Sequence, residues 1–453
     1  MLEKIFKLKE NGTKVSTELI AGLTTFMAIS YIIFINPTIL SQTGMDYNAV
    51  YMATILASIV GTLFIGLFAN VPYVMSAGLG LNSLFTYTIC MSMGFTWQQA
   101  LAMVFICGVV SGIITLTSLR KKLIAAIPPF FQDAITVGIG LFIAYTGFRN
   151  TGLIQFTVNG VTDGIASGSA TIPSLVTFNT PAVILSIIGL IITSILLLRK
   201  VKGAYLIGII LTTIIGIPIG VTSLPNFSNY TILPSLAPTF LKLDFAGLFT
   251  AEAGIVVVIM TIFTLCISDL FDSVGTFIGT GKKSGIFEID ENGKMSPKLE
   301  KALFADSIST SFGALLGTSN VTTYVESSAG IQAGGRTGLT SVFAALCFAL
   351  SLLVYPLVAC VPMAAIAPIL ILVGVSMIES VGNIEWKDLA IALPAFFTIV
   401  LMPFSYSITT GIQIGFLFYI ISNVATGKAK KVSPIIYLFS ILFIIDFVYK
   451  AIG

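Results

Sequence analysis

Thr322-Thr323-Tyr324-Val325-Glu326-Ser327-Ser328-Ala329-Gly330 is the stretch whose reading decides the fold. It sets one carboxylate, two threonines and two serines into a chain that is otherwise mostly apolar. An earlier stretch echoes it: Tyr73-Val74-Met75-Ser76-Ala77-Gly78. Both begin Tyr-Val, contain Ser and run through Ala-Gly, with one residue inserted in the later copy. In each, a short β-prone piece runs into a Gly-rich helix start. Both lie where the surrounding hydrophobicity calls for an uninterrupted helix.

The surroundings are set by composition. Of 453 residues, 56% are hydrophobic and only 9% charged, and the mean hydropathy is +1.01. A soluble domain carries about 25% charged residues, so a chain this apolar belongs in lipid. Its apolar runs recur at helix-spanning length, roughly 20 residues each. They lack the ~10-residue alternation of a membrane barrel. The class expected is an all-α polytopic membrane protein. The sequence holds no His, which removes His-based zinc sites, Ser-His-Asp triads and imidazole relays; proton chemistry near neutral pH falls to carboxylates. The five cysteines, Cys90, Cys107, Cys266, Cys347 and Cys360, are odd in number and lie in or beside apolar runs. They read as packing residues rather than disulfides or metal ligands. The N-terminus is polar, with no cleavable signal peptide before the first span.

Residues 1–16 are basic and amphipathic. Apolar segments follow at about 18–40, 50–69, 74–92, 97–118, 132–149, 179–199 and 203–221. A second set lies at about 252–280, 301–318, 325–335, 338–361, 363–381, 388–404 and 408–426. With the N-terminus cytoplasmic, this layout puts 20 of the 23 basic residues on the cytoplasmic side, leaving out Arg149, Lys242 and Lys450. Basic residues mark the cytoplasmic face, and a wrong segment count would scramble that parity. A last run, 433–450, reads as an extra span or a surface helix. The connections 150–178 and 222–251 are rich in Thr, Ser, Pro and Asn and read as surface links or short interfacial elements.

Seven is odd, so the second half runs opposite to the first, the inverted-repeat arrangement of secondary transporters. The echoed stretches sit in the third span of each half. At the first span, Ile29-Ser30-Tyr31 loosely matches Ile267-Ser268-Asp269. Interrupted hydrophobic segments at corresponding places point to a substrate site between them.

Carboxylates within spans are few: Asp133, Asp269, Asp272, Asp306, Glu326 and Glu379, with Asp446 in the last run. Asp133, Glu379 and Asp446 lie near segment ends, within reach of water. Asp269 and Asp272 sit deep in the eighth segment, and a spacing of three puts both on one helix face, where two close acids compete for a proton. Glu326 lies just before the helix start at Ser327-Ser328. Free amides there can donate to a ligand's carbonyl or ring nitrogen, and the carboxylate can accept from a ligand N–H; a planar heterocycle has such an edge. The alternative is a carboxylate capping its own helix. In the first half, Gly78 and Gly80 let backbone approach closely and Asn82 offers both donor and acceptor; helix packing is the alternative for the glycines. Gly279-Thr280-Gly281-Lys282-Lys283-Ser284 misses the phosphate-loop spacing and reads as a basic cytoplasmic loop. Gly108 and Gly112 form a GxxxG pair, a signal for close helix packing.

Three motifs carry a resemblance: Ser76-Ala77-Gly78-Leu79-Gly80-Leu81-Asn82, Asp269-Leu270-Phe271-Asp272-Ser273-Val274-Gly275-Thr276, and Glu326-Ser327-Ser328-Ala329-Gly330-Ile331 with Gly334-Gly335-Arg336-Thr337-Gly338-Leu339-Thr340. Over essentially its whole length the chain resembles the nucleobase–cation symporters, most closely the AzgA-like purine permease branch. The resemblance implies a uracil-transporter-like fold of fourteen transmembrane segments as 7+7 inverted repeats. Segments 3 and 10 would each be a short strand leading into a half-helix. After a cytoplasmic N-terminus (1–16), a core domain would comprise 17–122 and 252–361 and a gate domain 123–251 and 362–453. It implies proton-coupled import of purine nucleobases, hypoxanthine or guanine before adenine, across the bacterial cytoplasmic membrane, with no enzymatic activity, cofactor, metal or nucleic-acid partner, and with homodimer formation left open. Glu326, Asp269, Asn82, Gly78, Ser327, Ser328 and Ser30 would form the substrate set, and Asp272, Asp269 and Glu326 would carry the coupled proton. Met75 aligns with Glu326, so one half alone supplies that acceptor. Two other readings remain: an adenine-preferring permease of the same branch, and an anion transporter or channel of the same fold, which would want Lys or Arg at mid-membrane.

Overall fold

The computed structural model describes residues 2–117, 128–158, 161–162, 165–166, 171–224, 233–250, 254–284, 286–287, 296–358 and 360–452. Arg120, Lys121, Lys122 and Lys294, and the boundaries expected after 122 and 251, fall outside them. Among the described residues, eight helices are long and apolar enough to cross a membrane, and four more are apolar but shorter.

In chain order the first repeat holds α1 (Leu2–Phe6), α2 (Val15–Ile29), α3 (Ile32–Leu40), α4 (Tyr47–Phe68), β1 (Met75–Ala77), α5 (Leu79–Ser83) and α6 (Trp97–Leu116). Then come α7 (Pro129–Asn150), β2 (Ile154–Val158), β3 (Val161–Thr162), β4 (Ile165–Ala166), β5 (Thr171–Leu175), α8 (Pro181–Leu198), α9 (Ala204–Ile219) and α10 (Phe245–Phe249). The second repeat holds α11 (Gly254–Ser284), α12 (Pro297–Leu316), β6 (Val321–Thr323), α13 (Ser327–Gln332), α14 (Gly338–Ser351), α15 (Tyr355–Val358), α16 (Met363–Ile378), α17 (Leu389–Phe404) and α18 (Ile408–Ala425), followed by α19 (Pro434–Ile452).

Packing follows a reciprocal exchange. Helix α4, second in its half, packs on α14, fourth in the other; α6 packs on α12 in the mirrored relation. The third elements meet each other, β1 against β6, and so do the fifth, α7 against α16. A two-fold relation between halves produces this pattern. Small residues set the close approaches, as helix association in lipid requires. A methyl on Gly66 would lie 2.8 Å from Ser341 Cβ, and one on Gly374 would lie 2.7 Å from Ala144 Cβ. Helices α7, α8, α9, α16, α17 and α18 pack chiefly with one another and touch the α2–α6 and α11–α14 group more sparsely, α7 on α5, α16 on α3 and α9 on α2 among the contacts.

One expectation is corrected and two are made specific. The 150–178 connection carries short paired strands: β2 pairs with β5 and β3 with β4, in keeping with its β-branched runs. Residues 279–284 are not a loop but the last turns of α11. The run 433–450 is a packed helix: Phe439 meets Phe263 of α11 with ring centroids 4.3 Å apart, and Phe443 meets Phe416 of α18 at 5.8 Å.

Broken backbone inside lipid must find partners within the protein. Asn70, at φ +52°, and the following Pro72 stop α4 from continuing. Gly317, at φ +95°, stops α12. The freed segments then pair antiparallel, Met75 with Thr323, Ser76 with Thr322 and Ala77 with Val321. Hydroxyl side chains take what remains. Thr62 accepts from the Met75 amide at 3.0 Å and donates to its carbonyl at 3.1 Å. Ser341 donates to the Val71 and Tyr73 carbonyls at 2.9 and 2.7 Å. In the other half, Thr310 donates to the Val321 carbonyl at 2.9 Å, and Asp306 accepts from the Thr323 amide at 3.1 Å.

Candidate functional site at the crossing of two broken helices

The crossing lies where the two echoed stretches place it, with a shifted register. Tyr73-Val74 precedes strand β1, whereas Tyr324-Val325 follows strand β6. The Met75–Glu326 alignment is therefore corrected: Met75 is a strand residue paired with Thr323, and Glu326 is the residue preceding α13. Gly78 holds the position before α5. Matched letters located the break, but strand pairing, not letter identity, sets structural equivalence.

Glu326 is half-buried and lines a cavity of about 480 Å³. Thr24 and Ala28 of α2, Ala329 and Gln332 of α13, and the α8–α9 connection from Leu197 to Tyr205 complete the wall, with Lys200 and Lys202 on that connection. The Glu326 side chain makes no capping bond to its helix. Instead Oε1 accepts from the Tyr31 hydroxyl at 2.5 Å. The amides of Ser327 and Ser328 are committed to the Tyr324 and Val325 carbonyls, at 3.1 and 2.9 Å, so they are not the free donors anticipated. The Val325 and Glu326 amides precede those turns.

The other acids sit behind and beside this carboxylate. Asp272 is half-buried, and a methyl on Gly78 would lie 3.7 Å from its Oδ2. Its electrostatic neighbours are Asp306 and Glu326, both acids. Asp269 is 1% exposed, among Cys107, Asp306, Asp272 and Asn320, and its Oδ1 has no hydrogen-bond partner. Burial of an acid this deep is costly unless it pairs or shares a proton.

The remaining anticipated residues fall into distinct places. Asn82 is fully buried; its Oδ1 accepts from the Ser319 hydroxyl and its Nδ2 has no partner. Ser327 Oγ accepts from the Val74 amide at 3.1 Å, tying one half-helix to the other repeat. Ser30 donates to the Met27 carbonyl of its own helix at 3.2 Å. Ser328 is half-buried on α13. Asp133, half-buried, accepts from Asn383 at 3.2 Å, and Glu379 is exposed, away from this cluster.

Three residues received no role in the sequence reading. Tyr31 lies at the junction of α2 and α3, where the backbone stays helical; the Ile-Ser-Tyr and Ile-Ser-Asp match had set it opposite Asp269, the one signal available. Asp306 braces the crossing, accepting from Ser273 and, at 3.1 Å, from the Thr323 hydroxyl. Glu18, fully buried, accepts from the Arg336 and Thr340 amides at 2.9 and 3.1 Å and from the Thr340 hydroxyl at 2.5 Å. That explains the Gly334–Thr340 motif as the anchored start of α14.

A multi-pass helical bundle with an inverted repeat, two half-helices meeting mid-bundle, and acids beside a cavity defines a membrane carrier. The match to known proteins agrees. Residues 16–414 match the model of the Permease family known as Xan_ur_permease, and the chain belongs to that nucleobase permease family. It is 42% identical over 448 residues to the putative permease MJ0326 of Methanocaldococcus jannaschii, covering 99% of this chain and 98% of that one. It is 39% identical to the adenine permease AdeP of Escherichia coli (99% and 96% covered). It is 40% identical to the guanine/hypoxanthine permease PbuO of Bacillus subtilis (98% and 99%). Among solved structures, the transmembrane domain of the cyanobacterial bicarbonate transporter BicA superposes with a TM-score of 0.61 at 18% identity, covering 90% of this chain and 97% of that one. That likeness is one of fold. The chain is an integral membrane transporter, not an enzyme.

Proposed function

We propose that this permease imports purine nucleobases together with protons, hypoxanthine and guanine ahead of adenine. The setting is the bacterial cytoplasmic membrane with the N-terminus inside. In this reading fourteen spans form two inverted repeats. The core domain (17–122 and 252–361) holds the substrate and rocks against the gate domain (123–251 and 362–453), with α19 added outside the plan. The observation that carries the reading is Glu326. It is a carboxylate on a cavity wall, oriented by a tyrosine hydroxyl, with Asp272 and Asp306 as further acids beside it and Lys200 and Lys202 on the wall formed by the α8–α9 connection. A carboxylate accepts from a purine N–H, and the neighbouring Val325 amide donates to a ring nitrogen or carbonyl. Gly78 and Asn82 supply the facing half-helix, with Ser30, Ser327 and Ser328 around them.

Proton coupling rests on Asp269, Asp272 and Glu326 sharing fewer charges than carboxyl groups. One charge moved across the bilayer is worth about 2.3 kcal/mol per 100 mV. The carboxylates within the spans, with the cavity's Lys200 and Lys202 confined to the α8–α9 connection, argue against the anion-carrier alternative despite the shared fold. The similar identities to AdeP and PbuO, 39% and 40%, keep adenine preference as the second reading. Uptake of labelled hypoxanthine, guanine and adenine, with and without a protonophore, in the parent and in Glu326→Gln and Asp269→Asn, tests all of this. Loss of uptake in Glu326→Gln and collapse with the protonophore are expected. Protonophore-insensitive uptake overturns the coupling.

A further inference from the structure

Tyr31 stands between the cavity acid and the neighbouring helix group. Its ring, 1% exposed, meets the Tyr205 ring edge-on, with centroids 5.1 Å apart and planes at 71°. Tyr205 belongs to α9 and lines the same cavity. Tyr31 lies at the junction of α2 and α3, on backbone that keeps helical angles, so its ring is held beside Tyr205 by a continuous span. From there the hydroxyl reaches Glu326 Oε1 at 2.5 Å.

We infer that Tyr31 is a positioning residue that fixes the Glu326 carboxylate for the substrate and, through Tyr205, makes that orientation depend on where α9 stands. With Tyr205 packed on Tyr31, the hydroxyl holds one carboxylate oxygen and leaves the other aimed into the cavity. When α9 moves off, the ring loses its backing and the carboxylate its fixed orientation. Affinity is thereby linked to the position of the α9 segment. The purine identity of the ligand rests on the reading above; the Tyr205–Tyr31–Glu326 linkage does not.

Three conservative variants test it. Tyr31→Phe keeps the ring contact and removes the donor; a hydrogen bond to a charged group is worth enough to raise the KM for the preferred purine about tenfold, with Vmax within about twofold. Tyr205→Ala produces a similar KM rise, Tyr205→Phe restores the parent value, and the Tyr31→Phe/Tyr205→Ala double variant is no worse than Tyr31→Phe alone, because both act through one bond. A purine-independent measurement runs alongside: the infrared band of the Glu326 carboxyl group, isolated by difference against Glu326→Gln, shifts in Tyr31→Phe and in Tyr205→Ala. An unchanged KM in Tyr31→Phe, multiplying losses in the double variant, or a band unmoved by Tyr205→Ala each overturn the inference. A parent protein that carries no purine while the band still shifts in both variants overturns the carrier reading and supports the linkage.

Discussion

Ser327 Oγ accepts the Val74 amide at 3.1 Å, so the first residue of one half-helix is fastened to the chain that leads into the other. Two segments 253 residues apart therefore hold each other's backbone inside the bundle. Replacing Ser327 with Ala strands a buried amide at a cost of about 1–3 kcal/mol. A lower melting temperature of the purified protein is expected, with uptake reduced chiefly in rate. A variant as stable as the parent would mean that the bond is dispensable.

Glu18 makes a different prediction. Its carboxylate satisfies amides at the start of α14 and the Thr340 hydroxyl. Removing it in Glu18→Ala unpins the Gly334–Thr340 turn and leaves several buried donors unpaired, with an expected loss of about 3 kcal/mol. Glu18→Gln keeps one acceptor and should fall between. Thermal unfolding in detergent orders the three proteins; Ala and Gln behaving alike would contradict the capping role.

The two glycines of the GxxxG pair should part company. A methyl on Gly108 would run into Ser311 and the Ser307 carbonyl of α12, whereas one on Gly112 would find its nearest neighbours at 3.9 Å. Gly108→Ala is expected to destabilise by about 1–3 kcal/mol and Gly112→Ala to be tolerated. Equal stability of the two would show that α6 and α12 do not approach as described.

Asp306→Asn should disturb the crossing, since Asp306 gathers the Thr323 amide and hydroxyl together with Ser273. Uptake is expected to fall at least tenfold, by the few kcal/mol that a broken buried network costs. Asp133→Asn, half-buried against Asn383, and Glu379→Gln, at an exposed position, should transport at parental rates. A loss in either would place function where the structure shows surface.

What the sequence by itself determined was local. Hydropathy gave the membrane class and the segment spacing, basic residues gave the proposed sidedness, and a carboxylate within an apolar run gave Glu326 as a site candidate. Each of these is a property of a window of neighbouring residues. Tertiary structure decided the strand register, with Met75 opposite Thr323 rather than aligned with Glu326. It decided that Ser327 anchors backbone, that Glu18 caps a helix over 300 positions away, and that Tyr31 reaches Glu326 across 295 positions. Hydrogen-bond partners so far apart leave no periodicity behind. They exist because two broken helices running in opposite directions must satisfy their exposed backbone within lipid, and only the folded crossing brings the satisfying side chains within reach.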